Sequence, residues 1–184
     1  MKTKEMVYAA LFAALIAVLG MVPPIPLGFI PVPITLQTLG VMLAGSFLGR
    51  KTGAISLILF IVLVALGLPI LSGGYGGLSP LLGPTAGYIF SWPIAALLIG
   101  WAAEKVWPKL TTWKLILIQI GFGVLLINLI GAPTMSLITH TSIWAGIAGS
   151  AAFLPGDLIK AVLAAIVTMQ VRTISPIEEK IHGA

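Results

Sequence analysis

The sequence is poor in charged residues and contains no cysteine. Only 8 % of its 184 residues are charged, against about 25 % in an ordinary soluble domain. Hydrophobic residues make up 59 % of the chain, and the mean hydropathy is +1.13. A soluble domain with so few charges could not cover that much apolar surface, and without cysteine the chain forms no disulfide and carries no thiol chemistry. The composition therefore predicts an integral membrane protein.

Motifs for nucleotide or metal chemistry are also missing. GSFLGRKT at residues 45–52 resembles a phosphate-binding loop, but three residues separate its glycines where the loop needs four, and an arginine precedes the lysine. GGYGG at residues 73–77 lacks the third glycine of a dinucleotide-binding fingerprint. The two histidines, His140 and His182, are far apart in the chain. We therefore predict no metal site and no cofactor.

Long apolar runs between short charged clusters predict six membrane-spanning helices, since a span needs about 20 mostly apolar residues. The predicted spans are residues 6–22, 33–49, 53–71, 85–103, 115–131 and 156–171. The first run could also begin a signal peptide, but it is long for one and no small-residue cleavage site follows it. The predicted fold is an all-α membrane protein with a single domain, residues 1–184.

The basic residues predict the topology. Nine of the ten lysines and arginines lie in the termini or in the loops after predicted spans two and four. By the positive-inside rule, both termini are then cytoplasmic. The net charge of +5 is divided among these short clusters and forms no patch, so we expect no nucleic-acid partner.

One acid and one base interrupt the apolar sequence near its end. The 42 residues before Asp157 carry no charge, and Lys160 follows three residues later, on the same face of a helix. At a rise of about 1.5 Å per residue, the two residues lie roughly 22 and 18 Å from Arg172, which marks the predicted cytoplasmic boundary. Both therefore fall inside a hydrocarbon core of about 30 Å.

Two interpretations of this pair remain open. It is either an internal salt bridge that orients the last helix, or part of an outward-facing site for a polar small molecule, since ionisable groups inside a membrane are functional candidates. Gly156, after a proline, suits a helix start, whose free N–H groups would face the same site.

Two Gly/Pro-rich segments on the same predicted side, residues 23–38 and 71–88, could complete a pocket. Their candidate lining residues are Thr35, Gln37, Thr38, Tyr75, Thr85 and Tyr88. The alternative for Gln37 is a hydrogen bond between packed helices. The alternative for the tyrosines is anchoring at the membrane interface, which we also predict for the five tryptophans.

A small-residue face on the first predicted helix suggests a partner surface. Ala9, Ala13 and Ala17 are four residues apart, and such faces permit close approach between helices. We predict that this face contacts a partner protein. Packing within the chain is the alternative.

Three long motifs stand out in the sequence: PIPLGFIPVPITLQTLGVMLAG (24–45), GGYGGLSPLLGPTAGYIFSWP (73–93) and FLPGDLIKAVLA (153–164). Together they resemble the BioY family, the biotin-binding membrane subunits of energy-coupling factor (ECF) transporters. The resemblance implies a six-helix substrate-binding (S) component in a bacterial or archaeal cell membrane. It implies that the protein binds biotin near the outer face, and that a transmembrane coupling protein and two cytoplasmic ATP-binding subunits drive uptake.

The same resemblance implies biotin-binding roles for Asp157 and Lys160, with contributions from the glycine-rich outer loop and the segment around Gln37. It also implies that the alanine face meets the coupling protein. Tyr75 stands where some family members have an asparagine that touches biotin, and Ala86 where many have glycine. Three alternatives remain: an S component for another vitamin, a membrane-embedded enzyme that uses the charged pair as acid and base, and a structural protein without a ligand.

Overall fold

The computed structural model describes residues 3–177, most of which are helical. The α-helices of this range are α1 (Thr3–Gly20), α2 (Gln37–Leu48), α3 (Arg50–Ala65), α4 (Ser79–Leu82), α5 (Ala86–Val106), α6 (Thr112–Ile118), α7 (Leu126–Ile138), α8 (Ile143–Ser150) and α9 (Leu154–Gln170). A π-helical segment, Gln119–Leu125, joins α6 to α7. A 3-10 turn, Ala151–Phe153, joins α8 to α9.

Four helical segments of residues 3–177 are long and apolar enough to cross a membrane. They are Thr3–Gly20, Ala86–Lys109, Thr112–Ile138 and Ile143–Gln170. The all-α, multi-pass membrane class predicted from composition is therefore confirmed. Helices α2 and α3 have 12 and 16 residues, which is short for a span, so the count of six spans and the cytoplasmic location of both termini stay predictions.

Helix boundaries differ from the predicted spans where polar residues interrupt the apolar pattern. The fifth predicted span ends at residue 131, but α7 continues through Pro133 to Ile138. The hydroxyls of Thr134 and Ser136 donate to carbonyls four residues earlier, at 2.7 and 3.0 Å. Because these polar groups are satisfied within the helix, they do not end it. Helix α8 then occupies part of the stretch between predicted spans five and six.

The coil before α2 also differs from its prediction. The second predicted span begins at residue 33, but α2 begins at Gln37. The residues before it form irregular coil, in which Ile34 exchanges main-chain hydrogen bonds of 2.9 Å with Ile25. The third span was predicted for residues 53–71, whereas α3 starts at Arg50 and ends at Ala65. Both shifts leave longer coil segments at the same end of the molecule.

Helices α2 and α3 meet at a tight corner at Gly49. The φ angle of Gly49 is 82°, a conformation that favours glycine, and a Cβ there would collide with the carboxylate of Glu104. Glu104 accepts a hydrogen bond of 2.9 Å from the Arg50 main-chain N–H and lies 3.2 Å from its guanidinium. These contacts hold the corner against the end of α5.

The basic loops gather at the same end as this corner. The guanidinium of Arg172 donates to the main-chain carbonyls of Leu110 and Trp107, which follow α5 in the chain. The Ser175 hydroxyl donates to the carbonyl of Phe47, near the end of α2, at 2.7 Å. The described charged loops thus form one end of the molecule, as expected if they all lie on the same side of the membrane.

The alanine face of α1 is directed into the molecule. Ala9 and Ala13 are each 2 % exposed, Ala17 is partly buried against the core, and α1 packs on α2 and α3. The prediction that Ala9 and Ala13 contact a partner is therefore wrong, because their side chains are covered by the chain itself. The alternative, packing within the protein, is the one the structure favours.

The tryptophans fall into two groups. Trp92 and Trp107 are 4 % and 0 % exposed, so the interfacial location predicted for them is wrong. Trp113 and Trp144 are 68 % and 80 % exposed. The ring of Trp92 lies 6.0 Å from that of Phe60, between α5 and α3.

The close packing of α5 against the Gly49 corner yields a prediction for Gly100. A Cβ at Gly100 would overlap main-chain atoms of Gly49 and Arg50, whereas a Cβ at Gly121 would meet no atom within 4 Å. We expect Gly100→Ala to destabilise the protein by about 1–3 kcal/mol, the usual cost of overpacking, and Gly121→Ala to be neutral. Thermal unfolding in detergent measures both. Equal midpoints for Gly100→Ala and the wild type would contradict the packing described.

Candidate ligand-binding site

A cavity of about 530 Å³ lies at the end of the molecule opposite the Gly49 corner. Its walls come from the coil before α2, the segment between α3 and α5, and helices α2, α5, α7 and α9. Proline and aliphatic side chains supply much of the lining, and a few polar groups converge between them. Volume and lining both match small-molecule sites, which typically span 300–1,000 Å³.

Lys160 donates three hydrogen bonds in the cavity wall. Its Nζ lies 2.7 Å from Asp157 Oδ1, 2.8 Å from the Thr35 carbonyl oxygen and 2.8 Å from Thr38 Oγ1. An ammonium has three protons to donate, so each one has an acceptor. Lys160 thereby joins α9 to the coil before α2 and to the first turn of α2. Thr35 takes part through its main-chain carbonyl.

Asp157 keeps more capacity to accept hydrogen bonds. Oδ1 receives the short bond from Lys160 and a longer one, 3.4 Å, from the Thr38 hydroxyl. Oδ2 receives a bond of 3.4 Å from Asn128 Nδ2. A carboxylate offers about four acceptor positions, and contacts of 3.4 Å are weak. Oδ2 can therefore accept a further hydrogen bond from a group in the cavity.

Three other lining residues carry buried polar atoms without a hydrogen-bond partner among residues 3–177. These atoms are Tyr88 Oη, Trp92 Nε1 and Asn128 Oδ1. Buried polar groups are nearly always hydrogen-bonded in native proteins. Two groups able to donate and one acceptor thus line a space that a polar ligand or ordered water would occupy.

The remaining predicted site residues have varied roles. The Gln37 amide donates to the carbonyls of Ile16 and Ile70, at 3.2 and 3.1 Å, and accepts from the Ser72 N–H at 3.0 Å. Gln37 lies in the cavity wall, but its amide joins α1, α2 and the segment after α3. This is the packing role that was left open as its alternative.

Thr85 and Gly156 also contribute to structure around the cavity. The Thr85 hydroxyl donates to the Pro80 carbonyl at 2.8 Å, which closes the loop that lines the cavity. Gly156 is not part of the cavity lining, and a Cβ there would make an ordinary contact of 3.7 Å with Ile34. Tyr75 lines the cavity while remaining 65 % exposed, which places it at the rim.

The start of α9 differs from its prediction. Helix α9 begins at Leu154, before the predicted start at residue 156. Helix α8 and a 3-10 turn precede it directly, and the Leu154 N–H bonds to the Ala151 carbonyl.

Sequence reasoning missed Trp92 and Asn128 as cavity residues. Trp92 was interpreted as an interfacial anchor together with the other four tryptophans, although it lies well inside predicted span four. Asn128 was passed over, although it is the only asparagine in the sequence and interrupts an apolar run. An isolated amide within a membrane span was the signal available.

Comparison with known proteins establishes the family. A family model described as the BioY family matches residues 1–176. The chain belongs to the BioY family. The family resemblance inferred from the three sequence motifs is thereby confirmed.

Relatives within the BioY family match nearly the whole chain. The chain is 44 % identical over 171 residues to the probable biotin transporter BioY of Bacillus subtilis (strain 168), covering 93 % of this chain and 91 % of that one. It is 43 % identical over 171 residues to the biotin transporter BioY of Rhizobium etli, covering 90 % and 91 %.

A solved structure shares the fold. It is a crystal structure of the S-component for biotin from an ECF-type ABC transporter, with a TM-score of 0.89 and 38 % sequence identity. The match covers 94 % of this chain and 92 % of the other.

The buried pair yields a stability prediction. Removing one member of a buried ion pair leaves an uncompensated charge and typically costs 3–5 kcal/mol. We expect Lys160→Met to lower the thermal unfolding midpoint of the ligand-free protein, and the double variant Asp157→Asn/Lys160→Met to recover part of the loss. Lys109→Met, at an exposed position, is the matched control and should change little. A Lys160→Met midpoint equal to that of the control would contradict the pairing.

Proposed function

We propose that this chain is the biotin-binding S component of an ECF-type transporter, and that the cavity around Asp157 and Lys160 holds the vitamin. The observation that carries the proposal is the buried pair at 2.7 Å, set in a cavity with unpartnered polar atoms. Membership of a family whose relatives are named biotin transporters supports the choice of ligand.

The chemistry of biotin suits the cavity. Its ureido ring offers two N–H donors and one carbonyl, its fused rings are apolar, and its tail ends in a carboxylate. Asp157 Oδ2 can accept a ureido N–H. Tyr88 Oη and Trp92 Nε1, which have no acceptor among the described residues, suit a carbonyl or carboxylate oxygen. Proline, isoleucine and phenylalanine side chains of the lining would cover the apolar rings.

Lys160 needs a rearrangement to bind the ligand. All three of its protons already have acceptors. A bond to the ureido carbonyl or to the tail carboxylate would therefore replace or share a bond to Thr35 or Thr38. Ligand binding then acts on the coil before α2, whose position depends on those bonds. Tyr75 at the cavity rim is placed to cover the bound ligand.

The proposed topology has six spans, both termini in the cytoplasm and the cavity facing outward, in a bacterial or archaeal cell membrane. It is supported by the gathering of the basic loops at the end opposite the cavity, together with the positive-inside rule. A transmembrane coupling protein and two ATP-binding subunits would deliver biotin inward. The similarity to an S-component of an ECF-type ABC transporter supports these partners.

The rival functions are weaker. A membrane-embedded enzyme is the weaker alternative, because the similar proteins are named as transporters. An S component for another vitamin remains distinguishable by competition.

Direct binding tests the proposed function. We expect the purified protein in detergent to bind biotin, and Asp157→Asn to weaken binding at least about tenfold, the usual effect of removing a charged hydrogen-bond partner. Isothermal titration calorimetry, with a competition panel of other vitamins, measures this. Glu5→Gln is the control, because Glu5 lies at the start of α1, away from the cavity. Full affinity in Asp157→Asn, or preference for another vitamin, would contradict the proposal.

The topology can be tested by cysteine labelling, since the chain has no native cysteine. Leu78 is 60 % exposed near the cavity, and Lys109 is exposed at the opposite end. On intact cells, a membrane-impermeant maleimide should label Leu78→Cys, and should label Lys109→Cys only after permeabilisation. The reverse pattern, or labelling of both in intact cells, would refute the proposed orientation.

A further inference from the structure

The side-chain amide of Asn128 has a fixed orientation. Its Nδ2 donates to the Val124 carbonyl at 3.0 Å and to Asp157 Oδ2 at 3.4 Å. Both partners are acceptors, so turning the amide over would set oxygen against oxygen at both places. The side chain is therefore held with its N–H groups toward the π-helical segment before α7 and toward α9, and with its carbonyl oxygen in the remaining direction.

That carbonyl oxygen has no partner among the described residues. Asn128 is 8 % exposed, lines the cavity, and its Oδ1 is buried without a hydrogen bond. Leaving a buried acceptor unsatisfied is unfavourable, and native proteins rarely do so. The Asn128 carbonyl oxygen is therefore a hydrogen-bond acceptor held in a fixed orientation beside the cavity, next to the Asp157 carboxylate.

The helix before Asn128 contributes to this placement. Gln119–Leu125 is π-helical, and the wider turn changes the rotation of every later residue relative to a continuous α-helix, in which each residue advances about 100°. Val124, which anchors the Asn128 amide, lies in that segment. Such π-helical turns occur frequently at functional sites. Here the turn sets the register in which Asn128 and the neighbouring Ile127 line the cavity.

We propose that Asn128 is a specificity-determining residue, whose Oδ1 accepts a hydrogen bond from one N–H of the ligand's ureido ring. The inference rests on the proposed function, which names biotin. The ureido ring has two N–H groups, and the cavity offers two neighbouring acceptors, Asp157 Oδ2 and Asn128 Oδ1. Each acceptor takes one N–H. A ring that lacks either donor would leave a buried acceptor unpaired, and the cavity would reject it.

The first test is substitution of Asn128. Asn128→Leu keeps a similar volume and removes the acceptor, and we expect biotin affinity to fall about tenfold, the effect of one lost hydrogen bond to a buried group. The matched control is Gln119→Leu. Gln119 is a fully buried amide of the same helical run, its Oε1 also has no partner among the described residues, and it does not line the cavity. Its loss should leave biotin affinity unchanged.

The second test separates direct contact from an effect through Asp157. It uses two biotin analogues, in each of which an oxygen atom replaces one of the two ureido N–H groups. If Asn128 contacts the ligand, the Asn128→Leu variant should bind one analogue with the same affinity as biotin, and the Asp157→Asn variant should bind the other analogue with the same affinity as biotin. If both variants lose discrimination against the same analogue, Asn128 acts through Asp157 and the proposal is overturned. Unchanged biotin affinity in Asn128→Leu overturns it as well.

Folding and function are controlled separately. The thermal unfolding midpoint of each variant is measured without ligand, so that a loss of stability is not mistaken for a loss of biotin affinity. Asn128→Ala replaces Asn128→Leu if the leucine does not fit. A wild-type protein that does not bind biotin would overturn the proposed function. A wild-type protein that binds biotin, with Asn128 variants of equal affinity, would overturn only the role of Asn128.

Discussion

The ammonium group of Lys160 is the constraint on which the rest of the site depends. A charge inside a membrane protein is costly unless it is paired and hydrogen-bonded, and here one ammonium meets three acceptors from two separate parts of the chain. Thr35 and Thr38 lie more than 100 residues before it in the sequence. Satisfying the charge therefore brings the coil before α2 against α9. That contact closes one wall of the cavity and fixes Asp157 beside it.

The two ends of the molecule differ in how closely their backbones pack. At the end with the basic loops, glycine at residues 49 and 100 lets helices approach until their main chains touch, and Glu104 is held against Arg50. At the other end, proline- and glycine-rich coil replaces helix, so the backbone cannot pack as closely and a cavity remains. Gln37 stabilises this looser end, because its amide joins three segments. The ligand site is thus a consequence of where the helices stop.

Sequence reasoning located the charged pair and the two coil segments, because charge and Gly/Pro content stand out against an apolar background. It placed Asp157 and Lys160 on one helix face, and the structure joins them directly. Residues within the helices were harder to place. In a membrane helix both the lipid face and the core face are apolar, so periodicity does not reveal which side is buried. For that reason the sequence did not reveal the positions of Trp92, Asn128 and the alanines of α1. The register of Asn128 also depends on a π-helical segment that no sequence pattern indicated.

We propose the cavity around Asp157 and Lys160 as the ligand site. An experimental structure of the protein determined with saturating biotin tests it most directly. We predict that biotin lies in this cavity, with a ureido N–H within hydrogen-bond distance of the Asp157 carboxylate. Biotin bound elsewhere on the protein, or this cavity without biotin at saturation, would contradict it.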